Sequence, residues 1–231
     1  MEYITILLIL LILILLKIIF SIKIKNIKKL KEIGYNENLN NIMNKFPENK
    51  QICEEILKKI KNEDVKIKED ENTKTSLYIV ATNTIIIANI KNTFTRVQTV
   101  IHECIHSIQN KRILKFNFVY SNIYMLYYIL SLILLIAGIY KNLFFHLFII
   151  LILSFIYYII RSYLETDAMI RAEYVTKQYI EEKELLTDEE KKKIINAYEE
   201  INKNGVVLVN YNLILNILVK IIIFTVLTIV V

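Results

Sequence analysis

Residues 118–160 read FVYSNIYMLYYILSLILLIAGIYKNLFFHLFIILILSFIYYII, and Lys141 is the only Asp, Glu, Lys or Arg among them. A helix needs about 20 mostly apolar residues to cross a hydrocarbon core of about 30 Å. The stretch therefore holds two crossings, Phe118 to Tyr140 and Leu143 to Ile160, joined through Lys141 and Asn142 as a tight helical hairpin. Working outward, Tyr3 to Ile22 and Leu213 to Val231 approach the same threshold, which gives an expected count of four spans. Lys17 lies close enough to the end of its span for the stem to reach the headgroups, whereas Asn216 and Lys220 weaken the last span unless Lys220 faces the bundle.

Charge is segregated to match. Of 29 Lys and Arg, 27 lie in the blocks 17–115 and 161–205, and so do 22 of 23 Asp and Glu. A soluble globule does not sort its residues this way. With 231 residues, 55% hydrophobic, three Gly, one Pro and mean hydropathy +0.41, the chain is neither collagenous nor disordered nor a long multidomain protein. Short Lys- and Arg-rich segments stay in the cytoplasm. The run Lys17, Lys23, Lys25, Lys28, Lys29, Lys31 then places both polar blocks inside and both termini outside, in a multi-pass protein expected in the plasma membrane. The first span is expected to be an uncleaved anchor, because Met1-Glu2 offers no basic leader and Phe20-Ser21-Ile22 no small-residue cleavage site. The resulting organisation is an anchor at 3–22, a polar region at 23–117, the hairpin at 118–160, a helical polar region at 161–205 and a last span within 206–231. The net charge of +6 is explained by anionic lipid, so the bilayer is the expected partner and nucleic acid is not, since Lys58 and Lys59 interleave with Glu54 and Glu55 as on a solvated helix. Cys53 and Cys104 are expected reduced, with no disulfide frame.

Within the first polar block, Ile52, Ile56, Leu57 and Ile60 recur at helical spacing behind Pro47 and predict an amphipathic helix over 49–61. The charged stretch Lys61 to Lys74 reads as a solvated loop. Ser76 to Ala81 and Thr84 to Ile90 read as a hairpin turning at Thr82-Asn83, with Thr84 to Ala88 as an apolar exposed edge able to take an extended substrate by strand addition. Asn92 or Thr93 is placed to cap the next helix, whose apolar stripe is Val97, Val100, Ile101, Cys104, Ile105 and Ile108. In the second block a helix continues from the third span to about Glu182 and restarts at the capping box Thr187…Glu190; Ile194, Tyr198 and Ile201 share a face, and Gly205 suits a C-terminal cap.

The chemistry is carried by His102-Glu103-Cys104-Ile105-His106, an HExxH pattern. Two imidazoles four residues apart project from one helix face and can share one Zn²⁺, while the intervening Glu stands close enough to take a proton from water. Cys104 lies about 200° around the helix from His102 and reads as a small buried apolar residue. A third ligand is needed. Arg112 rules out HExxHxxGxxH, and His146, alone in the third span, reads as a polar packing residue. A carboxylate remains, with Glu165 first, because the hairpin returns the chain to the face it left, and Glu173 second, two turns further on. The competing reading of Glu165 and Asp167 is favourable charge at a helix start. These residues point to a zinc-dependent endopeptidase acting on membrane-associated proteins or peptides, with Glu103 as general base. The alternative is a non-catalytic scaffold around a structural metal. Substrate, oligomeric state and the oxyanion-stabilising group stay open, with Arg171, Tyr174 and the hairpin tyrosines as candidates for the last.

The order of parts resembles the YugP-like membrane zinc metallopeptidases, which are gluzincin-like neutral enzymes. An HExxH helix is followed by two spans, then by Glu165-x-Asp167-Ala168 with Arg171-Ala172 a turn later, a Leu185-Leu186-Thr187 break, another helix and a last span. More distantly the chain is similar to the HtpX and CAAX-prenyl membrane proteases, and a protease of that type is the alternative among enzymes. The resemblance implies zinc on His102, His106 and Glu165 with Glu103 as base. It also implies a mainly α polytopic protein with four transmembrane helices and a small zincin-like α+β cytoplasmic region built from the short hairpin and the HExxH helix. Ile105 and Ser107 stand where the family has Gly and Ala, while Gln109 agrees; the ExxxD spacing of many related proteases would put Asp at 169, where this chain has Met169, which leaves Asp167 as a candidate for orienting a ligand His.

Overall fold

The structure, a computed structural model, describes residues 2–20, 24–139 and 142–230. It is mainly helical, with α1 (Glu2–Ile19), α2 (Ile24–Gly34), α3 (Glu37–Met43), α4 (Asn49–Lys59), β1 (Lys66–Asp70), β2 (Leu77–Ile79), β3 (Thr84–Ala88), α5 (Arg96–Ile108), α6 (Lys111–Ile136), α7 (Leu143–Lys183) and α8 (Asp188–Val230). Lys141, read as the charge at the hairpin tip, lies outside the described residues, as do Ile22, Lys23, Tyr140 and Val231. The chain divides into two compact units. One comprises 1–22, 116–163 and 207–231, the other 23–115 and 164–206.

The first unit is made of α1 and the apolar parts of α6, α7 and α8. Among the described residues, those three long helices are long and apolar enough to cross a membrane, while α1, at 18 residues, contributes the shorter apolar segment Ile9–Ile18. The unit hides a small interior of Ile9, Tyr128, Leu135, Ile150, Ile217, Leu218, Ile221 and Phe224. Leu126, Ile133, Phe148 and Phe155 point outward, each more than half exposed. Apolar surface in that amount is unfavourable by about 25 cal/mol per Å² against water and neutral against lipid, so the unit is built for a bilayer. Several of its polar groups find partners inside. The Tyr124 hydroxyl meets Ser154 Oγ at 2.8 Å, Tyr128 donates to the Lys220 carbonyl at 3.1 Å, and Tyr127 meets His146 Nδ1 at 3.0 Å. Lys220 faces inward, its Nζ 4.4 Å from the centre of the Tyr124 ring, a cation–π contact suited to a charge far from water.

The second unit is α+β. Its three-stranded sheet has the order β1-β3-β2; β1 runs parallel to β3, with Lys66 opposite Thr84 and Asp70 opposite Ala88, and β2 runs antiparallel, with Leu77 opposite Ile86. The hairpin forms as the sequence suggests, its turn fixed by Asn83 at φ 50°, which accepts a 2.7 Å hydrogen bond from the Tyr78 hydroxyl. Two expectations are corrected. The stretch 61–74 contains a strand, because Val65 and Ile67 alternate inward while Lys66, Lys68 and Glu69 point to solvent, as suits a charged edge. That strand covers the flank of Thr84 to Ala88, which is thus the central strand, with Thr84, Ile85, Ile87 and Ala88 buried.

Around the sheet pack α4 and α5, then the 164–183 part of α7 and the 188–206 part of α8, in a core that includes Ile52, Ile56, Ile85, Val97, Ile101, Ile105, Ala168, Ala172, Ile180, Ile194 and Tyr198. The α5 stripe is buried as its spacing predicts, with Ile108 partly so. Neither Asn92 nor Thr93 caps α5: its N-cap is Thr95, and the Thr93 hydroxyl instead turns back to the Ile90 carbonyl at 3.0 Å. At the start of α8 the box is present, Glu190 N donating to Thr187 Oγ1 at 3.3 Å and Thr187 N to Glu190 Oε2 at 3.0 Å. Thr187→Ala is expected to lower stability by about 1 kcal/mol, read as a shift in the thermal unfolding of the full chain in detergent. Gly205 does not end that helix. It lies inside α8, where an added Cβ would stand 2.9 Å from the Met169 Cε, the movable end of that side chain.

Candidate metal centre

Helix α5 is buried on nearly every side, including Glu103 at 6% and His106 at 8% exposure. Burying two imidazoles and a carboxylate is unfavourable unless each has a partner, and here they are partners of one another. His102 Nε2 and His106 Nε2 lie 3.0 Å apart, His102 Nε2 is 3.4 Å from Glu165 Oε2, and His106 Nε2 is 3.8 Å from Glu165 Oε1. Ligand atoms of these three residues all fall within 4.8 Å of one another, so the group could hold a metal ion. The two imidazole nitrogens, 3.0 Å apart, stand near the roughly 3.3 Å that separates neighbouring ligands at about 2.0–2.1 Å from a tetrahedral ion.

Glu165 comes from α7, which runs unbroken from Leu143 to Lys183. It is therefore mid-helix, and a role as favourable charge at a helix start is excluded. Glu173, the second-choice ligand, is engaged elsewhere, accepting from Asn202 Nδ2 at 2.9 Å and pairing with Lys177 at 2.8 Å. His146 belongs to the other unit and meets Tyr127. Cys104 is fully buried, its Sγ 3.6 Å from that of Cys53, and both thiols are free. Arg171 pairs with Asp167 at 3.6 Å, and Tyr174 is exposed with Gln178 donating to its hydroxyl.

Asp167 does not touch a ligand His directly. Its Oδ2 accepts from Gln109 Nε2 at 2.8 Å, the same nitrogen is 2.8 Å from the Leu164 carbonyl, and Gln109 Oε1 lies 2.8 Å from His106 Nδ1. The resemblance singles out Gln109 without giving it a role. Gln109 is the C-cap of α5, three residues after His106.

Electrostatics favour a cation. Burial alone would pull the His106 pKa down, yet hydrogen bonding and charge from Glu165, the charge of Glu103 and the Gln109 contact carry it above the usual value. A field that strengthens proton binding at an imidazole is a negative field, which also attracts a divalent ion. Burial pushes the Glu103 carboxyl up; the histidines counter this, Glu165 adds to it, and the Tyr78 main-chain N–H, which hydrogen-bonds the carboxylate, lowers it. That last contact puts β2, an edge strand of the sheet, beside Glu103.

No known protein family, curated protein or solved structure matches the chain.

A donor set of two imidazole nitrogens and one carboxylate oxygen leaves room for a fourth, exchangeable ligand, which separates catalytic from closed structural sites.

Proposed function

We propose that this chain is a membrane-embedded zinc endopeptidase of the YugP-like kind. The observation that carries the reading is the convergence of His102, His106 and Glu165 beside the buried Glu103. A divalent ion held by those three would supply Lewis acidity, polarising the scissile carbonyl and making a nearby water easier to deprotonate. Glu103 takes the proton from the attacking water and returns it to the leaving amine. The histidines and Glu165 hold their positions because α5 is packed on all sides and α7 is one continuous helix. The outer edge of β2 offers main-chain groups on which an extended peptide can lie by strand addition, a part the sequence suggested for Thr84 to Ala88. Strand addition recognises backbone rather than side chains, which suits substrates that are unfolded or extended at the membrane surface.

The Lys and Arg distribution supports a cytoplasmic catalytic region in a protein proposed to sit in the plasma membrane, and α1 serves as the fourth span and anchor. Glu103→Gln tests the enzyme reading. It is expected to keep about one zinc per chain and to lose about 10²–10⁴-fold in cleavage rate on a quenched-fluorescence peptide library assayed in detergent or liposomes. Unchanged cleavage would remove Glu103 as the base. Zinc binding by the wild type with no cleavage in any substrate pool would favour the scaffold.

A further inference from the structure

We infer that Gln109 is a positioning residue for the metal centre, relaying the Asp167 carboxylate to His106 and fixing which nitrogen of that imidazole faces the ion. The inference rests on the metal-site reading above and extends it to how the site is held. The amide orientation is decided by its neighbours. The Leu164 carbonyl and Asp167 Oδ2 are both acceptors 2.8 Å from one end of the Gln109 amide, so that end is the NH₂. Its oxygen is then turned to His106 Nδ1 at 2.8 Å, and an oxygen can only accept there. His106 therefore carries its proton on Nδ1, which leaves the Nε2 lone pair aimed at His102 Nε2 and Glu165, where a cation would sit.

A ligand His commonly donates its second N–H to a carboxylate, which orients the ring and raises its basicity. Here an amide stands between them. Asp167 polarises the NH₂ of Gln109, and the amide oxygen passes that polarisation to the ring. The same amide ties the last turn of α5 to α7 at the Leu164 carbonyl, one residue before Glu165, so a single side chain sets both the angle of His106 and the approach of the third ligand. Gln109 is 6% exposed, too buried for water to take over either contact freely.

The test uses the full-length protein in detergent, with Co²⁺ as a spectroscopic probe for the site. Gln109→Ala is expected to weaken Co²⁺ binding about 10–100-fold, read from the visible absorption against a competing chelator. The exchangeable Nδ1–H resonance of the metal-bound His106, shifted by the paramagnetic ion, should broaden into solvent exchange. Asp167→Asn alone should cost less, and in the Gln109→Ala background it should cost nothing further. Additive losses from Gln109→Ala and Asp167→Asn, or wild-type affinity in a folded Gln109→Ala, would each overturn the relay while leaving the metal site standing. Absence of Co²⁺ and Zn²⁺ binding in the wild type would overturn both readings.

Discussion

Glu165→Ala is expected to reduce zinc affinity by more than about 100-fold, since loss of a contact that merely supports a ligand already costs 10–100-fold and this change removes a ligand itself. The carboxylate contributes charge as well as a bond. Two neutral imidazoles leave a bound divalent ion at +2, and Glu165 halves that in a site where its side chain is 13% exposed and bulk water screens little. A water can fill the vacated position but brings no charge. Glu165→Gln, which keeps an oxygen and loses the charge, should fall between Ala and wild type. Metal content after dialysis and competition with a chromophoric chelator measure the effect. The chelator alone should strip the wild type slowly, and the Ala variant should lose its metal at once. Full retention of stoichiometric zinc at wild-type affinity in Glu165→Ala would show that the ion is held by other groups.

His102 and His106 could be paired from the sequence because i,i+4 spacing is a local property of helices, settled before any tertiary contact forms. Glu165 could be inferred because two spans with a short connection bring the chain back to the side it left. The relay through Gln109 could not be read this way. It joins residues 55 and 58 positions apart, and only the packing of α5 on α7 shows which polar group on α7 the amide meets. The sheet failed for a different reason. Thr84-Ile85-Ile86-Ile87-Ala88 is apolar on both faces, the mark of a strand covered on both sides and flanked by neighbours. Its second neighbour was hidden in Lys66-Ile67-Lys68-Glu69-Asp70, where one inward apolar residue, Ile67, in a charged run carries little signal. At Gly205 the local cue for a cap was overridden: the residue lies inside α8, which runs on to Val230.

Arg96→Met is expected to destabilise the second unit by about 3–5 kcal/mol, the range seen when one side of a buried charged network is removed. The reasoning starts from an anomaly. Arg96 is the first residue of α5, and a positive charge at a helix N-terminus works against the helix dipole. It is also 4% exposed. Two unfavourable terms at one position require a compensating one, and the guanidinium fork supplies it. Nη1 donates to the Pro47 carbonyl at 2.8 Å and to Asn49 Oδ1 at 2.9 Å, and Nη2 to the carbonyls of Met43 at 2.9 Å and Phe46 at 2.7 Å. Met43 ends α3, so the charge that opposes the dipole of α5 complements the negative end of α3, whose last carbonyls have no partner within their own helix. Met in place of Arg keeps the stem and leaves four acceptors facing an apolar group, at about 1–3 kcal/mol for each one that cannot find water. Arg96→Lys retains the charge but has three donors on a point instead of a planar fork, and should recover only part of the loss. Thermal unfolding in detergent, followed by tyrosine fluorescence because the chain has no Trp, should show a fall in Tm of about 6–20 °C for Met, at roughly 2–4 °C per kcal/mol. Because Arg96 anchors the start of the helix that carries His102 and His106, added zinc should restore part of that fall, as a ligand does when it binds only the folded form. A Tm within about 2 °C of wild type for Arg96→Met would mean that 43–49 and α5 are held together by apolar packing alone.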